Sequence, residues 1–201
     1  MVVAATPSAL WMEEFTPIAD SGLPSVTTGL ATSLSSRLSD SAVARVLIGD
    51  CIDQSVSPLS DIRAHCMQAI DYALTASPLS SELWLAQARL FAAQGMLDHR
   101  FAESISRSYA TGPREGWIAA ERLPLVLRLR DFLPMHLSNN IGSDVHLVLT
   151  SQQLAGPLID TYIADPFLRE SSWEIIEQFA TLDRQEMLLD WLFQAVRDQN
   201  P

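Results

Sequence analysis

Between Ser77 and Pro113, Leu83, Ala86, Leu90 and Phe91 recur at three- to four-residue spacing, with Trp84, Ala88 and Ala92 beside them. That spacing puts one apolar stripe on a helix. Ser80 or Ser81 offers a hydroxyl to the first free backbone N–H groups, Glu82 suits the positive end of the helix dipole, and Gly95 can adopt the left-handed conformation that ends the helix. A second helix is predicted from about Leu97 to Ala110, with Phe101, Ile105, Ser108 and Tyr109 on its inner side and Gly112-Pro113 as its stop. The stretch therefore predicts a hairpin of two short antiparallel helices.

The pattern continues on both sides. Upstream, Val43, Val46, Leu47 and Ile52 predict one helix, and Ile62, Cys66, Ile70, Ala73 and Leu74 the next, with a turn over Ser55–Ser60. Residues 1–40 are rich in Ser, Thr and Ala and interrupted by Pro7, Pro17 and Pro24, so they read as a poorly patterned, partly helical N-terminal arm. Within it, Val26, Leu30, Leu34 and Leu38 fall every four residues. Downstream, Trp117, Ala120, Leu123, Leu127 and Leu129 predict a helix kinked at Pro124 and ended by Pro134. Met135–Ser143 reads as a polar turn, Val145–Leu154 as a helix, and Gly156-Pro157 as a fresh start. Asp165 and Thr181 are predicted to cap two last helices. The apolar faces expected there are Phe167 or Leu168, Ile175, Ile176 and Phe179 on the first, and Leu188, Trp191, Leu192, Ala195 and Val196 on the second.

Trp84, Ala88, Phe91 and Gly95, followed by a bulky second helix and Pro113, resemble the tetratricopeptide repeat pattern. Pro78 precedes Pro113 by 35 residues and Trp84 precedes Trp117 by 33, which brackets the family's 34-residue period. The sequence departs from the pattern at Gln87, where a large apolar residue is usual, and at Arg100 and Phe101, near the slot usually taken by a small one. The resemblance implies an all-α fold of antiparallel hairpins stacked as a short right-handed TPR-like solenoid over residues 41–201, with 165–201 as its capping hairpin. It also implies a concave surface lined by the first helix of each hairpin. Gln87, Arg89, Gln94, Arg114, Ile118, Glu121 and Arg122 are the partner-binding candidates on that surface. The run from Gly112 to Pro134 is loosely similar to bacterial membrane-anchored repeat proteins linked to surface-polysaccharide assembly.

Composition narrows the function. The 201 residues can bury one sizeable helical core, and the 48% hydrophobic content with 8 Gly agrees with that. The formal charge is −11, and all 13 basic residues are arginines. A phosphate-binding or Schiff-base lysine is thereby excluded, and the negative field opposes nucleic acid and anionic membranes. No run of about 20 apolar residues could span a bilayer. The opening Val2, Val3, Ala4 and Ala5 lack a signal peptide's basic region and long apolar core. Two locations are consistent with this: periplasmic or extracytoplasmic, beyond a removed N-terminal membrane anchor, and cytoplasmic.

Candidate chemistry is sparse. His65, His99, His136 and His146 are scattered with no i, i+4 pair, so no metal site is read and no cofactor is expected. The nucleophile-elbow, Gly-rich phosphate-loop and paired-cysteine patterns are absent. Arg122, Arg128 and Arg130, with Arg114, form the densest basic group; one reading is a groove that grips the carboxylates of an acidic peptide or an anionic glycan, and the plainer one is a solvated face that balances Glu115, Glu121 and Asp131. Trp84 and Trp117 read as wedges between helices, while Trp11 and Trp173 fall outside the repeat. The expected function is non-enzymatic: a scaffold for a protein or peptide partner. Rival readings are a helical hydrolase whose site gathers one of the histidines with a carboxylate, and a self-associating structural protein that forms a homodimer.

Cys51 and Cys66, the only cysteines, stand about equally far from a turn near Pro58, and antiparallel helices would bring them close. In an oxidising compartment a disulfide would contribute roughly 3 kcal/mol for a loop of about 15 residues. In a reducing one they would be two buried thiols. The bridge predicts that the unfolded, unreduced protein gives no reaction with a thiol reagent and two equivalents after reduction; two equivalents before reduction would exclude it.

Overall fold

A computed structural model describes residues 60–199, with side chains described from Cys66 onward. Among the described residues there are eight α-helices and no strand, so the all-α expectation holds there. They are α1 (Ser60–Ala76), α2 (Ser81–Ala93), α3 (His99–Thr111), α4 (Gly116–Arg128), α5 (Ser138–Val148), α6 (Gln152–Ala164), α7 (Pro166–Phe179) and α8 (Leu182–Gln199), with short 3-10 turns at Arg130–Phe132 and Met135–Leu137. The N-terminal arm, the helix predicted from Val43 and the proposed boundary at residue 40 lie outside the described residues.

The predicted hairpin forms α2 and α3. The Ser80 hydroxyl accepts from the Leu83 N–H at 3.3 Å, so Ser80 rather than Ser81 is the cap. Gly95 has φ +69°, the Gly95 N–H donates to Ala92 at 3.0 Å and the Met96 N–H to Phe91 at 2.9 Å. These paired bonds satisfy the helix's last carbonyls and need a residue tolerant of the left-handed region. Asp98 then caps α3, accepting from the Arg100 N–H at 2.9 Å. The Arg100 guanidinium, hydrogen-bonded to the same carboxyl, holds the Asp98 pKa down at about 2.

Helices adjacent in the chain pack together, α2 with α3, α4 with α5 and α6 with α7. The alternate helices also touch: α2 meets α4, α4 meets α6, and α6 meets α8, while α5 meets α7 on the other side. One continuous core runs from α2 to α8 and includes Phe101, Ile105, Ile118, Leu123, Val145, Leu158, Tyr162, Ile176 and Leu188. A smaller cluster seats α1 on α2 through Cys66, Ile70, Ala73 and Leu74. Cys66 is disulfide-bonded, and Cys51, the other cysteine of the chain, lies outside the described residues.

The middle of the chain departs from the sequence reading. Met135–Ser143 is not a turn: α5 begins at Ser138, and its break from α6 falls at Leu149–Ser151 rather than at Gly156. Asn139 and Ser143 made the segment look turn-like, but they occupy the exposed side, while Ile141, Asp144, Val145 and Val148 face inward at i, i+3, i+4, i+7. The Ser151 hydroxyl caps α6 by accepting from the Leu154 N–H at 3.3 Å. Pro157 lies inside α6 as its sixth residue, where it removes one intrahelical donor without ending the helix. Likewise α4 runs through Pro124 to Arg128.

Two contacts set the spacing of the later helices. The buried Tyr162 hydroxyl on α6 and the Ser172 hydroxyl on α7 are 2.8 Å apart, and burial pushes the Tyr162 pKa up to about 12 against the lowering effect of that bond. On α5, Gly142 lets the Phe179 ring of α7 approach so closely that an added Cβ would stand 2.3 Å from ring carbon Cδ1. Gly142→Ala is therefore expected to force the ring aside and lower stability by about 1–3 kcal/mol, measured by chemical denaturation. The equally helical but open position Gly156, where a Cβ meets nothing within 4 Å, should gain slightly from alanine instead.

Candidate functional site

The seven residues nominated for partner binding separate into four groups. Arg89 and Glu121 come together, 3.0 Å apart across the α2–α4 contact and each about two-fifths exposed. In that setting the pair is worth little, about 0–1 kcal/mol. Gln94 is the C-terminal cap of α2 and Arg114 is an exposed residue between α3 and α4. Gln87 turns toward its neighbours: its amide nitrogen donates to Asp71 of α1 at 2.8 Å, and its amide oxygen accepts from Ser104 of α3 at 2.7 Å. Those two bonds explain how a polar side chain occupies a slot where the repeat pattern expects an apolar one.

Ile118 and Arg122 are the correction. Both are 0% exposed, so neither can touch a partner. Arg122 is not part of a solvated basic face either. Its guanidinium forms a two-point pair with Asp144 of α5, Nε to Oδ2 at 2.8 Å and NH2 to Oδ1 at 2.9 Å, and Asp144 is also 0% exposed. A further N–H donates to the Ser108 hydroxyl at 3.1 Å, and a weaker contact of 3.5 Å reaches the Gly112 carbonyl at the end of α3. The cation lies 3.7 Å from the centroid of the Tyr109 ring. Four of the fork's five N–H groups thus meet acceptors and the cation lies against an aromatic ring, which offsets much of the cost of burying it.

The Tyr109 hydroxyl is buried beside this pair and makes no hydrogen bond among the described residues. Burial pushes its pKa well above the usual range, and the nearby Asp144 charge adds to that while Arg122 opposes it. It stays protonated and supplies no base. His99, His136 and His146 are all exposed, and no cluster of three or more metal-ligating side chains occurs among the described residues. Arg128 and Arg130 remain near the surface, beside Asp165 at 3.5 Å and Asp131 at 3.7 Å.

The tryptophans also fall differently from the repeat expectation. Trp84 is half-buried, its indole N–H donating to the Pro78 carbonyl at 2.8 Å. Trp117 is 38% exposed. Trp173, outside the pattern, lines a groove of about 690 Å³ between α7 and α8, together with Arg169, Glu170, Leu189, Leu192, Phe193 and Val196. Phe193 is 68% exposed. Leu182, Leu189 and Val196 stand within about 60° of it around α8, since each residue turns the helix by 100°. Leu188 and Leu192 take the buried side of the same helix. Val196 was expected in the core, and its place on the outer stripe corrects that reading.

No protein-family model, curated protein or solved structure matches this chain. The functional reading therefore rests on the groove and on the buried pair. Removing one partner of that pair leaves the other charge buried alone, so Asp144→Ala and Arg122→Met are each expected to lose about 3–5 kcal/mol, and the double variant less than their sum. Chemical denaturation of the three variants checks this; additive losses would show that the pair is not coupled.

Proposed function

We propose that this chain is a non-enzymatic scaffold: a short TPR-like stack of helical hairpins that binds a protein partner through the groove between α7 and α8. The observation that carries the reading is the apolar stripe Leu182, Leu189, Phe193 and Val196, exposed at 7-4-3 spacing on a helix whose opposite side is already buried. A row of apolar side chains left open to water at helical anchor spacing suits helix-in-groove recognition. The side-by-side contacts of α2, α4, α6 and α8 support the solenoid part. The disulfide-bonded state of Cys66 suits an extracytoplasmic location.

Affinity capture from the native host under mild conditions tests the scaffold role. A retained macromolecule is expected, and Phe193→Asp should release it while leaving helix content and thermal unfolding unchanged, because Phe193 makes little core contact. Arg122 is unsuitable for this test, since its side chain is buried and its substitution would lower stability rather than alter a surface. Equal capture by Phe193→Asp would remove the groove from the proposal, and absence of any retained macromolecule would remove the scaffold itself.

A further inference from the structure

The charges around the groove are of one dominant sign. Glu170 lies on its wall, and Glu174 and Glu177 follow it on the same outer stripe of α7, at about 40° and 20° from it around the helix. On α8, Glu186 and Asp190 stand about 20° and 60° from Phe193, on the side away from the core. All five carboxylates are exposed, and none forms an ion pair among the described residues. Arg169 in the wall and Arg197, one turn beyond Phe193, are the opposing cations. Five carboxylates against two guanidiniums leave the rim acidic, on a chain whose formal charge is already −11.

We infer that the occupant of this groove is a basic amphipathic helix of a protein partner, with apolar residues at i, i+4, i+7 that seat between Trp173 and the Leu189–Phe193–Val196 stripe and Lys or Arg at the flanking positions. This rests on the groove being the interaction surface, and it adds the partner's chemistry. The apolar row from Leu182 to Val196 covers 14 residues of rise, about 21 Å, enough for roughly four turns of partner helix. A second copy of this chain is a poorer occupant. It would set one acidic rim against another, and like charges facing across an interface weaken association. An acidic rim also accelerates capture of a cationic helix, an effect that salt removes.

The test uses the full chain and two dye-labelled 18-residue peptides with the same leucine stripe, one with lysine and one with glutamate at every other charged position, followed by fluorescence anisotropy. The lysine peptide is expected to bind at least about tenfold more tightly than its glutamate twin, and the preference to shrink as salt rises. Phe193→Asp makes the chain more negative, so diffuse attraction would hold or strengthen the lysine peptide, whereas seating in the groove predicts a loss of at least about tenfold. The paired variant Glu177→Arg with Asp190→Arg keeps the apolar floor and should bring the two peptides to within a few-fold of each other.

Unchanged or tighter lysine-peptide binding by Phe193→Asp would overturn the inference. Equal binding of both peptides to the unaltered chain would overturn the basic occupant while leaving the groove as a docking surface. Sedimentation showing a dimer at micromolar concentration that Phe193→Asp dissolves would assign the groove to a second copy. If neither peptide binds and host capture ignores Phe193→Asp, the scaffold reading through this groove fails as well.

Discussion

A charged pair sealed from water at the centre of a helical protein imposes strict terms on everything around it. Arg122 and Asp144 lose their hydration on folding, which costs several kcal/mol for each ion, and only good geometry repays that cost. Here the repayment is spread over three helices: α4 carries the cation, α5 the anion, and the end of α3 the Ser108 hydroxyl, the Gly112 carbonyl and the Tyr109 ring. The fork of guanidinium donors matters because a lysine ammonium could not reach a two-point carboxylate, a hydroxyl and an aromatic face from one place. The consequence is positional. The first hairpin and the second can meet in only one register if that fork is to be satisfied.

That fixed centre contrasts with the C-terminal end. A stack of hairpins buries each apolar face against the next, and its last element needs a polar outer side. α8 meets half of the requirement. Leu188 and Leu192 close the core, and the Arg184 guanidinium reaches the Leu149 carbonyl at the end of α5. Yet the outer side of α8 carries Phe193 and its apolar neighbours rather than a solvated surface. The element expected to cap the stack is therefore the one that leaves apolar side chains exposed, and the proposed scaffold role depends on that difference.

Much of the fold was legible. Ser80, Gly95 and Asp165 signalled helix ends through local chemistry that tertiary packing did not override, and the inner residues of α3 followed from spacing alone. The candidate site was less legible, for two reasons. Arg122 lies in the register of Ile118 and Val126, and Asp144 in that of Ile141, Val145 and Val148, so both occupied core positions in the pattern. The charge of Arg122 suggested a surface, and only the pairing partner, 22 residues away, makes burial tolerable. The spacing of Leu182, Leu189, Phe193 and Val196 was also present, but α8 has apolar residues on two sides, and periodicity alone does not say which side another helix will cover.

The attachment of α8 is uneven along its length. Up to Leu192 it is tied by Arg184, Leu188 and Leu192 itself, whereas beyond Leu192 every described residue is exposed or only half-buried. Amide hydrogens in the last two turns are therefore shielded by little more than the helix's own hydrogen bonds, and exchange there should need only local fraying rather than global opening. Phe193 and Val196 sit on that less protected end. A ligand that settles against them would gain part of its effect by suppressing fraying, so occupancy at the end of the stack would register as slower exchange in a helix whose backbone scarcely moves.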